Sequence, residues 1–190
     1  DASGKGIPAA IFMAYTKTLI KAKASAFTNL GTGALLEQVN DELSRGNDAD
    51  MFITVFCAIL NTATGELVYS NGGHNPPLVM RGTSGEVSYL EGPGELVVGI
   101  MGGSRDSTRA LLLEPDDGML LYTDGVTEAM NDAGDIFSPD RLKEVAHSCK
   151  DKTAPEITGS VTKAVNDFCL NAPQYDDITM MVVRYKGKAD

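Results

Sequence analysis

The sequence predicts an α+β domain, with helices towards both ends of the chain and a mainly antiparallel set of strands between them. Three observations carry this expectation. Apolar residues recur at helical spacing near the start, the period changes to strand-like runs from Met51 onward, and helical spacing returns after Pro139. With 190 residues and 43% apolar content, the chain is long enough for one domain with a sizeable core.

The elements follow in order. The opening Asp1-Ala2-Ser3-Gly4-Lys5-Gly6 places a carboxylate and two glycines at a sharp turn. Pro8 suits the first turn of a helix over residues 7–25, which carries Ile11, Ala14, Leu19 and Ile20. Thr32 is expected to cap a second helix in which Leu35, Leu36, Val39 and Leu43 make one stripe, and Gly46 to stop it. Residues 51–60 are apolar on both alternating faces, which predicts a strand covered on both sides. Residues 61–65 read as a turn and 66–71 as the returning strand of a hairpin. Short strands follow over 78–81, 88–90, 109–113 and 119–122, and the glycine-rich residues 92–107 form a candidate flap. Helices are predicted over 139–148 and 154–169, a last strand over 178–185, and a polar tail over 187–190.

Composition excludes several function classes. The charge sum is 16 − 26 = −10 and no Lys/Arg cluster is present, which argues against a nucleic-acid surface. No run approaches the roughly 18 apolar residues of a membrane span, so no direct membrane contact is expected. Cys57, Cys149 and Cys169 are scattered and odd in number, which reads as buried structural thiols in a reducing cytoplasm. The expected location is therefore the cytoplasm, or the cytoplasmic portion of a larger signalling protein. With only His74 and His147, a zinc site is poorly supported. Met13, Met101, Met119, Met130, Met180 and Met181 read as gap-filling core or helix contacts.

Three acidic positions, far apart in sequence, fall at turns beside apolar runs: Asp1, Asp124 in Thr123-Asp124-Gly125, and the pair Asp176-Asp177. Each alone reads equally as a helix cap or a solvent-facing turn. Together they suit a hard divalent cation, which takes oxygen ligands and needs charge neutralisation. Because side chains alternate along a strand, only one of Asp176 and Asp177 is expected to face a given cleft. His74, in Gly73-His74-Asn75-Pro76-Pro77, is expected to be a hydrogen-bonded structural histidine. A phosphate-binding glycine loop is absent, so nucleotide binding is disfavoured.

The segments DASGKGIPAAIFMA, YSNGGHNPPLVM, LLYTDGVTEAMN and YDDITMMVVRY, in this order, resemble the metal-dependent serine/threonine protein phosphatase superfamily. The branch they resemble is the bacterial one named for stage II sporulation protein E and the sigma-factor regulatory phosphatases. The resemblance implies a four-layer α-β-β-α sandwich, two mainly antiparallel sheets flanked by helices, over residues 1–186. It also implies a centre of two Mn²⁺ or Mg²⁺ ions. Asp1 would bridge them, the Ala2 carbonyl would bind one, and Asp124 and Asp176 would complete the protein ligands, with Asp177 in an orienting role. A metal-bound hydroxide would then attack phosphorus in line.

The resemblance further implies a phosphorylated anti-sigma-factor antagonist as substrate and an upstream sensor or receiver module, with homodimerisation left open. The first two helices would be the switch element linking that module to the metal cleft. The family's Gly-Asp-aromatic motif is not present before Asp1, so the domain is expected to lack its N-terminal strands and the isolated chain to be weak or inactive. Lys5 stands where some relatives have a histidine, which leaves the leaving-group acid unassigned. The competing expectation is a catalytically inactive, phosphatase-like binding module.

Overall fold

A proline near the start of a helix costs no hydrogen bond, and Pro8 stands in the first turn of α1 (Ile7–Ala26). The elements that follow are α2 (Thr32–Ser44), β1 (Val55–Leu60), β2 (Glu66–Gly72), β3 (Leu78–Met80), β4 (Val87–Tyr89), β5 (Arg109–Leu112) and β6 (Gly118–Tyr122). The chain continues through α3 (Asp124–Thr127), α4 (Pro139–Cys149), α5 (Ala154–Cys169) and β7 (Met180–Arg184). This computed structural model describes residues 1–26, 31–90, 92, 96–103, 107–170, 172–174 and 176–188. Residues 93–95 and 104–106 of the candidate flap, Tyr175 and the end of the tail lie outside them.

Two antiparallel sheets with flanking helices make up the fold, as the sequence led us to expect. The chain divides into two compact units whose segments alternate along the sequence. The first holds residues 1–61, 66–74 and 93–112, and the second holds 62–65, 75–92 and 113–190.

In the first unit the sheet order is β1-β2-β5, with Leu60 opposite Leu67 and Glu66 opposite Leu112. The predicted stripe on α2 is real. Leu36 and Val39 are wholly buried, and Leu35, Val39 and Leu43 pack with Ile53 and Val98, covered by Phe12, Leu19 and Ile20 of α1. Each such side chain contributes about 1.5–3 kcal/mol by leaving water.

Two local expectations are corrected here. Thr32 does not cap α2. Gly31 occupies that position, while the buried Thr32 hydroxyl bonds the Ser70 hydroxyl at 2.8 Å. The free Gly33 N–H of the first turn is instead taken by the Thr108 side chain at 2.9 Å. Residues 51–60 also do not form a doubly covered strand. Only Val55–Leu60 is regular, it lies at the sheet edge, and Ile59 is 58% exposed. Apolar periodicity reports strand propensity here and not which faces a neighbouring layer covers: Ala58 and Ile59, on opposite faces, are both exposed.

In the second unit the order is β4-β3-β6-β7, with Leu78 opposite Leu120 and Leu120 opposite Val182. Leu78, Met80, Leu120 and Tyr122 meet Leu142 and Ala146 of α4 and Ile157, Val161 and Val165 of α5 in one core. A capping box starts α5: the Thr153 side chain accepts from the backbone of Glu156, whose carboxylate accepts from the Thr153 N–H at 2.9 Å. The wholly buried Asp117 ties down the β3 and β6 ends. Its carboxylate accepts from the Arg81 guanidinium at 2.6 Å, from the Gly82 N–H at 2.8 Å and from the Glu114 N–H at 3.0 Å. Gly65 has φ +80°, and a Cβ there would stand 2.1 Å from the Leu113 carbonyl oxygen, so this turn admits only glycine.

No helix among the described residues is long and apolar enough to cross a membrane. The three cysteines are free thiols, but only Cys149 is fully buried as expected; Cys57 and Cys169 are partly exposed, and burial raises the pKa of each.

Candidate active site

The opening turn is held by main-chain pairing within the first unit. Ser3 N–H donates to the Phe52 carbonyl at 2.8 Å and Thr54 N–H donates to the Asp1 carbonyl at 2.7 Å, flanking an antiparallel bridge between Ala2 and Ile53. In such a pair the bonds belong to the neighbours, so the Ala2 carbonyl points away from Ile53. The Ser3 hydroxyl accepts from Phe52 N–H at 2.9 Å. Ile53 bridges in turn to Val98. The Asp1 turn is thereby the outer member of a short ladder running Ala2, Ile53, Val98.

His74 belongs to the same unit and is fixed at three points. Its N–H donates to Asn71 Oδ1 at 2.7 Å, its carbonyl accepts from Asn71 Nδ2 at 2.8 Å, and its Nδ1 lies 2.8 Å from the Thr54 hydroxyl. The expected locked histidine is what the geometry gives. Sequence reasoning missed Thr54, whose main chain holds Asp1 and whose side chain holds His74. Nothing in its apolar context marks it.

In the second unit, Thr123 alone separates β6 from Asp124, the first residue of α3, where a carboxylate complements the positive helix end. The sequence places this residue in a turn; the short helix is an addition. Gly125 is buried against the last acidic segment. A Cβ there would lie 2.4 Å from the Asp177 carbonyl oxygen. Thr123 completes the clasp: its N–H donates to the Thr179 carbonyl at 3.0 Å, and its hydroxyl donates to the Asp177 carbonyl and accepts from Thr179 N–H, both at 3.0 Å.

Asp176 and Asp177 do not sit on a strand, since β7 starts only at Met180. The alternation argument therefore does not apply to them, because the Thr123 hydroxyl replaces a regular ladder bond at this point. They differ by burial instead. Asp176 is half-buried and accepts the Asp177 N–H on Oδ1 at 2.8 Å, whereas Asp177 is exposed.

One polar row backs this site. The Tyr122 hydroxyl, at the last residue of β6, lies beside the side chains of Asn75 and Tyr89, and the Tyr89 hydroxyl donates to the Pro139 carbonyl at 2.6 Å. Burial raises the pKa of both phenols, so they remain protonated donors.

The structure thus brings Asp124 together with the Asp176-Asp177 segment, and Asp1 together with His74. Among the described residues, no group of three or more His, Cys, Asp or Glu side chains is gathered closely enough to hold a metal ion. The donor types are nevertheless those of a hard cation: carboxylate oxygens and a main-chain carbonyl, without a thiolate.

Comparison with known proteins decides the family. The family model described as stage II sporulation protein E (SpoIIE) matches residues 1–186. The chain belongs to the SpoIIE family. Among curated proteins it is 32% identical over 190 residues to phosphoserine phosphatase RsbU of Bacillus subtilis (strain 168), covering 98% of this chain and 54% of RsbU. Among solved structures it is similar to the RsbU and RsbW domains of Rv1364c from Mycobacterium tuberculosis, with TM-score 0.81 and 22% identity, over 100% of this chain and 52% of that one. It is also similar to the PP2C phosphatase domain with a regulatory fragment of the cell fate determinant SpoIIE from Bacillus subtilis, with TM-score 0.77 and 19% identity, over 97% and 52%. The chain spans about half the length of these relatives. It shares the fold of these domains, and phosphatases of the PP2C type are metal-dependent.

Proposed function

We propose that this protein removes phosphate from phosphoserine or phosphothreonine in an anti-sigma-factor antagonist, within a bacterial partner-switching pathway. One observation carries the reading. Gly125 and Thr123 clasp the 176–179 segment, so the turn that carries Asp124 lies against the main chain of the segment that carries Asp176. The similarity to RsbU supports the substrate class.

Asp1, the Ala2 carbonyl, Asp124 and Asp176 are the groups that would hold two Mn²⁺ or Mg²⁺ ions. When bound, such ions supply Lewis acidity and neutralise charge at the transferring phosphoryl group. The protein's own residues do the positioning. The Asp177 N–H orients the Asp176 carboxylate, Thr54 fixes the Asp1 main chain, and Gly125 permits the close approach. A thiol nucleophile is disfavoured, because burial keeps Cys57, Cys149 and Cys169 protonated. Residues 1–186 act as one catalytic domain of a cytoplasmic signalling protein, joined to a sensor or receiver module and able to form homodimers.

The test is hydrolysis of a serine-phosphorylated antagonist protein by the full-length protein. Turnover with added Mn²⁺ or Mg²⁺ and none in excess chelator is expected. Equal turnover in chelator would overturn the metal reading, and no turnover under any condition would favour the inactive binding module.

A further inference from the structure

We infer that residues 96–103 form a preorganised docking loop for the protein part of the phosphorylated substrate; this inference rests on the phosphatase reading above. The loop combines two features that seldom occur together. Its backbone is locked, and its largest side chains face solvent.

The lock comes from α2 and the turn after it. Asn40, 1% exposed, accepts the Gly99 N–H on Oδ1 and donates from Nδ2 to the Met101 carbonyl, both at 2.8 Å. Asn47 donates to the Gly99 carbonyl at 2.9 Å, and Asp41 accepts the Gly103 N–H at 2.8 Å. Gly99 has φ +108°, and a Cβ there would lie 3.2 Å from the Phe12 ring and 3.3 Å from the Met51 carbonyl, so it fits a slot that a larger residue would open. Yet Leu96, Ile100 and Met101 are 58%, 53% and 59% exposed. A free surface loop gains nothing from a buried asparagine that fixes apolar side chains in water. A recognition loop does, because ordering it beforehand lowers the entropic cost of binding.

Position and shape select the occupant. The loop leaves Val98, which pairs with Ile53, and Ile53 pairs with Ala2 beside Asp1. A surface continuous with the candidate ligand turn is met by whatever brings a phosphate to it. Small ligands are enclosed by concave pockets, whereas side chains each more than half exposed along one loop offer contact area to another protein. Methionine and isoleucine suit such a contact.

The test compares Ile100→Ser/Met101→Ser with the unsubstituted full-length protein on two substrates, p-nitrophenyl phosphate and a serine-phosphorylated antagonist protein, each with Mn²⁺. The ratio of kcat/KM for the phosphoprotein over that for p-nitrophenyl phosphate is expected to fall by about tenfold, chiefly through KM, as for the loss of apolar interface side chains. An unaltered ratio overturns the inference. So does a change in oligomeric state by sedimentation with the ratio intact, which would assign the loop to a second copy of the chain. Failure of the unsubstituted protein to hydrolyse either substrate would instead remove the phosphatase reading on which the loop depends.

Discussion

Gly125 lies against the main chain of Asp177 so closely that a single added carbon would stand 2.4 Å from the Asp177 carbonyl oxygen. No side chain beyond hydrogen fits without moving one segment off the other, because the obstacle is backbone. Gly125→Ala is therefore expected to separate Asp124 from Asp176 and to cut phosphatase turnover by about 100-fold or more, the scale of a misplaced catalytic group. Isothermal titration with Mn²⁺ should show the same variant losing affinity. Full activity would mean that the clasp does not set the site.

The two neighbouring acids should separate in function. Asp176→Asn and Asp124→Asn are each expected to lower activity by at least about 100-fold, as when transition-state charge stabilisation is lost. Asp177→Asn should cost less, since its side chain is exposed and its N–H, which orients Asp176, survives the change. A larger loss at Asp177 would reverse the ligand assignment within the pair.

Stability depends on a different acid. Asp117→Ala would remove the acceptor for the Gly82 and Glu114 N–H groups and for the Arg81 guanidinium. A loss on the order of 3 kcal/mol in urea unfolding is expected, as for a buried charge-assisted network stripped of one partner. A change below about 1 kcal/mol would show that water replaces the carboxylate.

The start of α5 carries a pH signature. Hydrogen bonds from Thr153 hold the Glu156 carboxyl below the ordinary carboxylate range. A pKa lowered in the folded state contributes stability that is complete above the unfolded value of about 4.3 and fades as pH falls through the folded value. The melting temperature of Glu156→Gln should thus lie below that of the parent at pH 7, and the gap should close below about pH 4. A constant gap across that range would rule out the titration.

The fold was legible where sequence and environment agree. α2 declares its buried face through Leu35, Leu36, Val39 and Leu43, and α5 its bounds through Thr153, Pro155 and Glu156. Residues 51–60 misled because an apolar run reports preference for a strand and not whether layers cover both of its faces. The acidic turns could be read as candidates from residue type, but the separation of Asp176 from Asp177 could not. It depends on Thr123, 53 positions before Asp176, inserting its hydroxyl where a ladder bond would stand. Asn40 was hidden for a similar reason, as a polar residue beside an apolar stripe whose partners lie 59 and 61 positions ahead.

The alternation of the two units along the chain has a consequence for biosynthesis. The first unit needs β5, so its sheet cannot be completed until residue 112 has left the ribosome. The second unit needs β7, and until it emerges β6 presents an unpaired edge of Met119, Leu120 and Leu121. A nascent or C-terminally clipped chain therefore carries an open apolar strand edge, a template for pairing with another chain. Premature termination before Met180 would yield an aggregating species and a chaperone client, and a ribosomal pause before β7 has emerged would prolong that exposure.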